Sequence, residues 1–351
     1  MSKAKAVFRE DAAERAEGEN AVTRTDYNVA ILLPAYNEAL TIAGTIEGFR
    51  DAMPSARIYV IDNNSDDGTA TIAEEALART AGGALLHEAR QGKGNALRRG
   101  LLEIDADIFV MADADMTYPP EQIHELVTPI AEGRADMVMG DRFSGGDYDR
   151  ENTRRFHKFG NNLIRTLVNM FFRSHIADIM TGYRAFTRTF ARTYPILVEG
   201  FQIETDMTIF ALRNRFRILE IPVRYRNRPE GSFSKLNTFS DGLRVLSTIL
   251  NLLRHDKPFA FFSVIALCWA CLGLLAGLPV LVEFARTGFI LHVPLAILAS
   301  ALEMIAIFIF GVGLILDSVA HQHNTDNERV IRAHYPPRYS RTGVVPGRTA
   351  P

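Results

Sequence analysis

From Ala260 to Val282 no residue is charged, and a run of that length exceeds the roughly 20 helical residues needed to cross a hydrocarbon core. A second run, Val293 to Leu316, carries a single charge, Glu303. The connection between them, Glu283 to His292, is short, which predicts a helical hairpin whose two ends lie on one side of a bilayer. Arg244, Arg254 and Lys257 precede the hairpin and Arg329, Arg332, Arg338, Arg341 and Arg348 follow it, whereas the connection holds Arg286 alone. The positive-inside bias then predicts two spans with both termini, and the bulk of the chain, in the cytoplasm.

The 351 residues carry a formal charge of -2, so the chain lacks the basic excess of a nucleic-acid binder. Cys268 and Cys271 are the two cysteines and both fall in the first apolar run. Neither a disulfide framework nor a two-pair zinc site is available. Glu303 is costly at mid-span and is expected to face protein or water. A hairpin has little surface for burying such a group, so self-association as a homo-oligomer is expected.

Five segments follow. Residues 1–26 are charged, Ala-rich and without an apolar face, and are expected to be a mobile tail. Residues 27–236 form a cytoplasmic domain. In 237–257, Phe239, Leu243, Leu246, Ile249, Leu250 and Leu253 recur at helical spacing, which predicts an amphipathic helix lying on the membrane surface. Residues 258–318 hold the hairpin and 319–351 a cytoplasmic C-terminal tail.

In the cytoplasmic domain, short apolar runs at Val29–Leu33, Ile58–Ile61, Ala84–His87, Ile108–Ala112 and Met137–Met139 read as strands. Helical periodicity over Glu38–Met53, Asp67–Thr80, Lys93–Glu103 and Glu121–Glu132 alternates with them, with Asp66 expected to cap the second helix. The pattern predicts an α/β fold, a mainly parallel sheet flanked by helices, with ligands at the carboxyl ends of the strands.

Those ends are rich in carboxylates. The first strand runs into Pro34-Ala35-Tyr36-Asn37-Glu38, the second into Asp62-Asn63-Asn64-Ser65-Asp66-Asp67-Gly68-Thr69, and the fourth into Asp113-Ala114-Asp115. Residues two apart on an extended segment point the same way, and two adjacent carboxylates repel unless a cation or proton lies between them. Oxygen ligands of this kind suit Mg²⁺ or Mn²⁺ completed by a substrate diphosphate. Gln91-Gly92-Lys93-Gly94-Asn95-Ala96 opens a helix with two glycines and a cation, compatible with an anion, but has the spacing of neither a P-loop nor a dinucleotide fingerprint. Arg224, Arg226, Arg228 and Lys235 form a late basic stretch. It suits anionic headgroups or the phosphate of a lipid substrate.

Taken together these motifs resemble the family 2 glycosyltransferases of the A-type nucleotide-sugar fold, specifically the polyprenyl-phosphate glycosyltransferases. The resemblance runs from about Val29 to Asp256. It adds Pro119-Pro120-Glu121, Gly140-Asp141-Arg142, the stretch Asp178 to Arg184, and Arg228 to Leu236 to the motifs above. It implies nucleotide-sugar binding by Pro34, Tyr36, Glu38, Asp62, Lys93, Asp113, Ala114 and Asp115, with metal and diphosphate at Asp113 and Asp115. Arg142, Arg228 and Lys235 would engage the acceptor phosphate, and Asp178 would orient a sugar hydroxyl or a basic residue. Asn63 stands where a second aspartate is common in the family, and Thr117 where a glutamine is common.

The reaction so implied is inverting transfer of a sugar from a nucleotide-diphosphate sugar to undecaprenyl or dolichyl phosphate at the cytoplasmic face of the lipid bilayer. A phosphate monoester is largely dianionic at neutral pH and needs no strong general base. A rival reading has a glycolipid or saccharide hydroxyl as acceptor, which does need a base, with Glu204 or Asp206 as candidates. A binding protein without turnover is disfavoured by the intact Asp113 and Asp115. The sugar and the choice of uridine or guanosine are not legible.

Overall fold

The computed structural model describes residues 27–80, 82–144, 155–196, 198, 200, 202–226, 228–229, 254, 257–334, 339–340 and 343–344. The expected N-terminal tail, nearly all of the expected surface helix and Lys235 lie outside them. Contacts divide the chain into two units, one holding the sheet and its helices, the other most of the helix Arg155–Phe172 and the two long apolar helices.

In the first unit the strands of the main sheet are β1 (Val29–Ala35), β2 (Arg57–Asp62), β3 (Gly83–His87), β4 (Ile108–Met111), β5 (Met137–Asp141), β6 (Arg184–Thr187) and β7 (Ile218–Pro222), and Tyr339–Ser340 pairs separately with Gly343–Val344. Between them lie α1 (Ile42–Ala52), α2 (Thr69–Leu77), α3 (Lys93–Glu103), a 3₁₀ turn Pro120–Gln122 leading into α4 (Ile123–Ala131), then α6 (Arg188–Thr193) and α7 (Ile203–Arg213), with α5 (Arg155–Phe172) in the other unit. The sheet order is β3-β2-β1-β4-β6-β5-β7. Four pairings are parallel, and β6 alone runs antiparallel, to both β4 and β5. The sheet is therefore mixed, with the expected parallel majority.

Why β1 lies inside the sheet is visible in its composition. Val29 to Leu33 are all buried, a continuous apolar run of the kind a strand covered on both faces requires. α1 packs Ile42, Ile46 and Phe49 into the same core as Ile31, Leu33 and Val110, each such side chain contributing about 1.5–3 kcal/mol of transfer free energy. After β1 the chain builds outward to β2 and β3, then returns to place β4 on the other side of β1. That reversal opens a crevice at the carboxyl ends of β1 and β4, the usual ligand position in such sheets. Pro34–Glu38 and Asp113–Asp115 flank it.

In the second unit, α8 (Pro258–Thr287) and α9 (Val293–His334) are long and apolar enough to cross a membrane, each with a mean hydropathy of 2.4 over its most apolar stretch. Gly288, at φ 73°, ends α8 and donates its N–H to Phe284 O at 2.8 Å. Glu283 accepts from the backbone N–H groups of Leu291 and His292 and thereby closes the connection. Gly273 faces Glu303, and a Cβ at Gly273 would lie 2.6 Å from Glu303 Oε1. The mid-span carboxyl thus lies inside the helix pair, in the notch a missing side chain leaves.

Candidate active site

The turn after β1 is built onto the loop after β2. Asn37 adopts φ 53°, which asparagine tolerates. Its N–H donates to Ser65 Oγ at 3.0 Å, and its Oδ1 accepts from the Asp66 N–H at 2.9 Å. The Glu38 N–H donates to Thr69 Oγ1 at 2.8 Å and the Ala39 N–H to Asp67 at 3.1 Å. Asp67, not Asp66, accepts the first N–H of α2, that of Thr69, at 3.0 Å. Gly68 at φ 88° turns the chain so that Asp67 is the carboxylate beside that N–H. Burial raises the Asp67 pKa, but the bonds from the Thr69 hydroxyl and the backbone outweigh it and hold the group below the ordinary value.

Asp62 ends β2 opposite His87 on β3, and its Oδ2 lies 3.4 Å from His87 Nδ1. Its other oxygen is buried and meets no hydrogen-bond partner among the described residues. Asn63 follows with its amide committed: Nδ2 donates to the carbonyls of Glu88 and Arg90, and Oδ1 accepts from the Gly92 N–H at 2.6 Å. A carboxylate could accept from Gly92 but could not donate to two carbonyls. The departure at Asn63 is thus explained by the loop that leads to Lys93, which it fastens.

Lys93 opens α3, and its ammonium sits between Asp113 and Glu204, the latter in the first turn of α7. Burial works against the charged amine, but the two carboxylates prevail and its pKa is raised. For Asp113 burial likewise opposes ionisation, and Lys93 more than offsets it, so the group is held below the ordinary carboxylate value. Asp115 is pushed up by burial and by repulsion from Asp113, against the pull of Arg228. Its Oδ1 accepts from the Thr117 N–H and hydroxyl, its Oδ2 from Arg228 at 2.5 Å, while the same guanidinium lies 3.6 Å from Glu38. Thr117 therefore orients Asp115. Ala114 is buried and its carbonyl accepts from Thr45 of α1; Pro34 is the penultimate residue of β1, and Tyr36 is half-buried beside Asn37.

The third feature is Arg142, just past β5. Its Nε and Nη2 meet the two Asp178 oxygens at 2.6 and 2.9 Å, a bidentate pair in which Asp178 is 1% exposed. The guanidinium also lies 5.6 Å from the Tyr225 ring centroid. Asp178 is thus paired with a basic residue. Its own loop is held by Glu220, which accepts from the N–H groups of Ala177 and Asp178. The fields of both Arg142 and Arg228 reach Asp113.

Sequence reasoning missed the supports of this loop. Arg184 is fully buried and donates to the carbonyls of Ile179 and Thr181 and to Thr208 Oγ1. Gly182 presents bare backbone to Asp113, where a Cβ would stand 2.8 Å from Oδ2, and its N–H donates to the Tyr118 hydroxyl at 2.7 Å. An arginine inside a strand-like apolar run was the one available signal. Of the two residues considered as general bases, Glu204 is bound to Lys93 and Asp206 accepts from the Tyr194 hydroxyl at 2.6 Å.

The donor set fits a divalent cation in its charge. Among the described residues, the carboxylates of Asp113, Asp115, Glu38 and Glu204 face the cations of Lys93 and Arg228, an acidic and largely buried cluster. Among the described residues no three metal-ligating side chains converge, so substrate oxygens would have to complete the shell. Asp115 could join it only with the oxygen that Arg228 holds.

Residues 30–194 match the family described as glycosyl transferase family 2. Glycosyltransferase AglJ of Haloferax volcanii is 30% identical over 303 residues, covering 86% of this chain and 97% of that protein. The polyprenol monophosphomannose synthase of Mycolicibacterium smegmatis is 29% identical over 230 residues, 62% of this chain and 85% of that one. In fold, the chain resembles glucosyl-3-phosphoglycerate synthase of Mycobacterium tuberculosis, solved with Mn²⁺, uridine diphosphate and glucosyl-3-phosphoglycerate, at a TM-score of 0.51 and 22% identity over 66% of this chain and 80% of that one. With the crevice, its carboxylates and the near full-length similarity to a glycosyltransferase all in agreement, the chain belongs to glycosyl transferase family 2 and is a glycosyltransferase.

Proposed function

We propose that this glycosyltransferase moves a sugar, with inversion, from a nucleotide-diphosphate sugar to a polyprenyl phosphate at the cytoplasmic face of a membrane. The observation that carries this reading is the ion pair of Arg228 with Asp115, beside Asp113 and with a second buried arginine, Arg142, held by Asp178, in a chain that also has two membrane-length helices. Two anionic substrates must approach one another, and arginines held in fixed positions by carboxylates suit that task. The name of the mycobacterial relative points to the same acceptor class.

Asp62 would accept an N–H or O–H of the nucleoside with the oxygen that lacks a partner. Pro34, Tyr36 and Glu38 would line the same crevice. A divalent cation held by Asp113 and Asp115 would neutralise the departing diphosphate; Mn²⁺ accompanies uridine diphosphate in the mycobacterial synthase. Arg142, fixed by Asp178, would hold the acceptor phosphate in line with the anomeric carbon, and Arg228 and Lys235 would add charge. A phosphate acceptor has a second pKa of about 6, so no proton needs removing at neutral pH. The commitment of Glu204 and Asp206 to other partners favours this acceptor over a hydroxyl.

The test is transfer from a panel of radiolabelled nucleotide-sugars to undecaprenyl or dolichyl phosphate in membranes with Mg²⁺ or Mn²⁺, comparing the parent protein with Asp115→Ala. A labelled lipid formed by the parent and lost in the variant is expected, and it would also identify the sugar. Product on hydroxyl acceptors alone would overturn the reading.

A further inference from the structure

Three side chains meet at Lys93, and they differ in what they can reach. The side chain of Asp113 is 31% exposed, whereas those of Lys93 and Glu204 are 10% and 8% exposed. Of the three, Asp113 is the group open to a ligand; Lys93 lies behind it and Glu204 behind Lys93. An ammonium has three donors, and here two are spent on carboxylates from different elements. Glu204 is itself firmly seated. One turn along α7, the Thr208 hydroxyl donates to the Glu204 carbonyl and accepts from buried Arg184, which also grips the carbonyls of Ile179 and Thr181.

A lysine bonded to Asp113 alone would fix that carboxylate but also compete with any cation it is meant to bind. A second carboxylate on the far side of the ammonium removes the conflict, because the charge of Lys93 is then shared. The bare backbone of Gly182 confines Asp113 from another side. We propose that Lys93 and Glu204 are a positioning pair for Asp113: Lys93 orients the carboxylate, and Glu204 offsets the lysine charge so that Asp113 keeps its affinity for a divalent cation. The proposal rests on the reading of Asp113 and Asp115 as a metal–diphosphate site. It removes Lys93 from the groups that touch the nucleotide-sugar and Glu204 from the candidate bases.

The test is a charge-balance cycle on the full-length protein in detergent, with Mn²⁺ binding measured by calorimetry, alone and with uridine or guanosine diphosphate, beside sugar transfer. Glu204→Gln should weaken Mn²⁺ binding by roughly tenfold, a size usual for coupled neighbours, because the whole lysine charge then falls on Asp113. Lys93→Met should leave Mn²⁺ binding equal or tighter. The double variant, with both charges gone, should return to within about threefold of the parent. Glu204→Asp, which keeps the charge, should lie between parent and Glu204→Gln and serves if the amide variant fails to fold. Loss of transfer in Glu204→Gln with unchanged Mn²⁺ binding would make Glu204 a base and overturn the proposal. Weakened diphosphate binding in Lys93→Met that the double variant does not repair would make Lys93 a direct ligand, with the same consequence. No Mn²⁺ binding by the parent, with or without nucleotide, would instead remove the metal site and the proposal with it.

Discussion

Asp178→Asn tests whether Arg142 is held for chemistry or for stability. The substitution keeps the shape of the side chain and removes its charge, leaving the buried Arg142, whose guanidinium had two carboxylate oxygens at 2.6 and 2.9 Å. Breaking a buried ion pair from one side costs about 3–5 kcal/mol. The amide oxygen still accepts one bond, so the lower end applies, about 3 kcal/mol. At about 2–4 °C per kcal/mol for a domain of this size, the melting temperature of the full-length protein in detergent should fall by about 10 °C. Transfer, read at saturating donor with the lipid phosphate varied, should fall by roughly 10²-fold, the usual effect of losing one preorganised electrostatic group. Arg142→Leu with Asp178→Leu separates the two consequences. Replacing a buried pair by apolar side chains is often neutral for stability, so the double variant should melt near the parent yet stay inactive. A double variant that transfers sugar at the parental rate would show that the pair is structural and refute the role of Arg142 at the acceptor phosphate. An unchanged melting temperature in Asp178→Asn would refute the energetic argument itself.

Further outcomes follow from the same contacts. Gly182→Ala puts a Cβ 2.8 and 2.9 Å from the Asp113 oxygens and must turn that carboxylate off its rotamer, at about 0.5–1.5 kcal/mol; Mn²⁺ dependence of transfer should shift upward about three- to tenfold while thermal melting barely moves. Asn63→Asp sets a carboxylate against the Glu88 and Arg90 carbonyls and should cost about 1–3 kcal/mol, with a raised donor KM in steady-state assays. Asp67 has a folded pKa below its unfolded value, so its contribution is present above about pH 4 and lost as pH falls through the folded pKa. Melting curves of Asp67→Asn and the parent should therefore differ at neutral pH and converge as the pH falls through the folded pKa. Phe289→Cys, with Cys268 and Cys271 changed to Ser, should react with a membrane-impermeant maleimide from the outer face of intact cells; labelling only after lysis would refute the orientation inferred from the arginines.

The backbone elements near the crevice were legible because their signals are local. The five strands expected from apolar runs all form, and Lys93–Glu103 is helical over the very residues its periodicity marked. The two strands of the main sheet that went unread explain themselves. β6 is four residues, Arg-Ala-Phe-Thr, and the buried Arg184 interrupts the apolar run that would have marked it. β7 is short and runs straight into the basic stretch. It joins the sheet because Met137–Asp141 offers it a parallel edge, a long-range fact with no local trace.

What the sequence hid is which charge answers which. Asp113, Asp115, Arg142, Asp178 and Arg228 could each be picked out as candidates, since each sits in a motif. Their pairing could not, because partners such as Asp178 and Arg142 lie 36 positions apart, and Glu204 and Lys93 lie 111 apart. Charge is not periodic, and burial turns isolated ions into pairs only after the sheet has placed them. The consequence reaches function. Read singly, Lys93 is a phosphate ligand and Glu204 a base; read as a pair behind Asp113, they become a device for holding one carboxylate still. The chemistry of the crevice is thus decided less by which ionisable residues the chain contains than by which of them the fold has already neutralised before a substrate arrives.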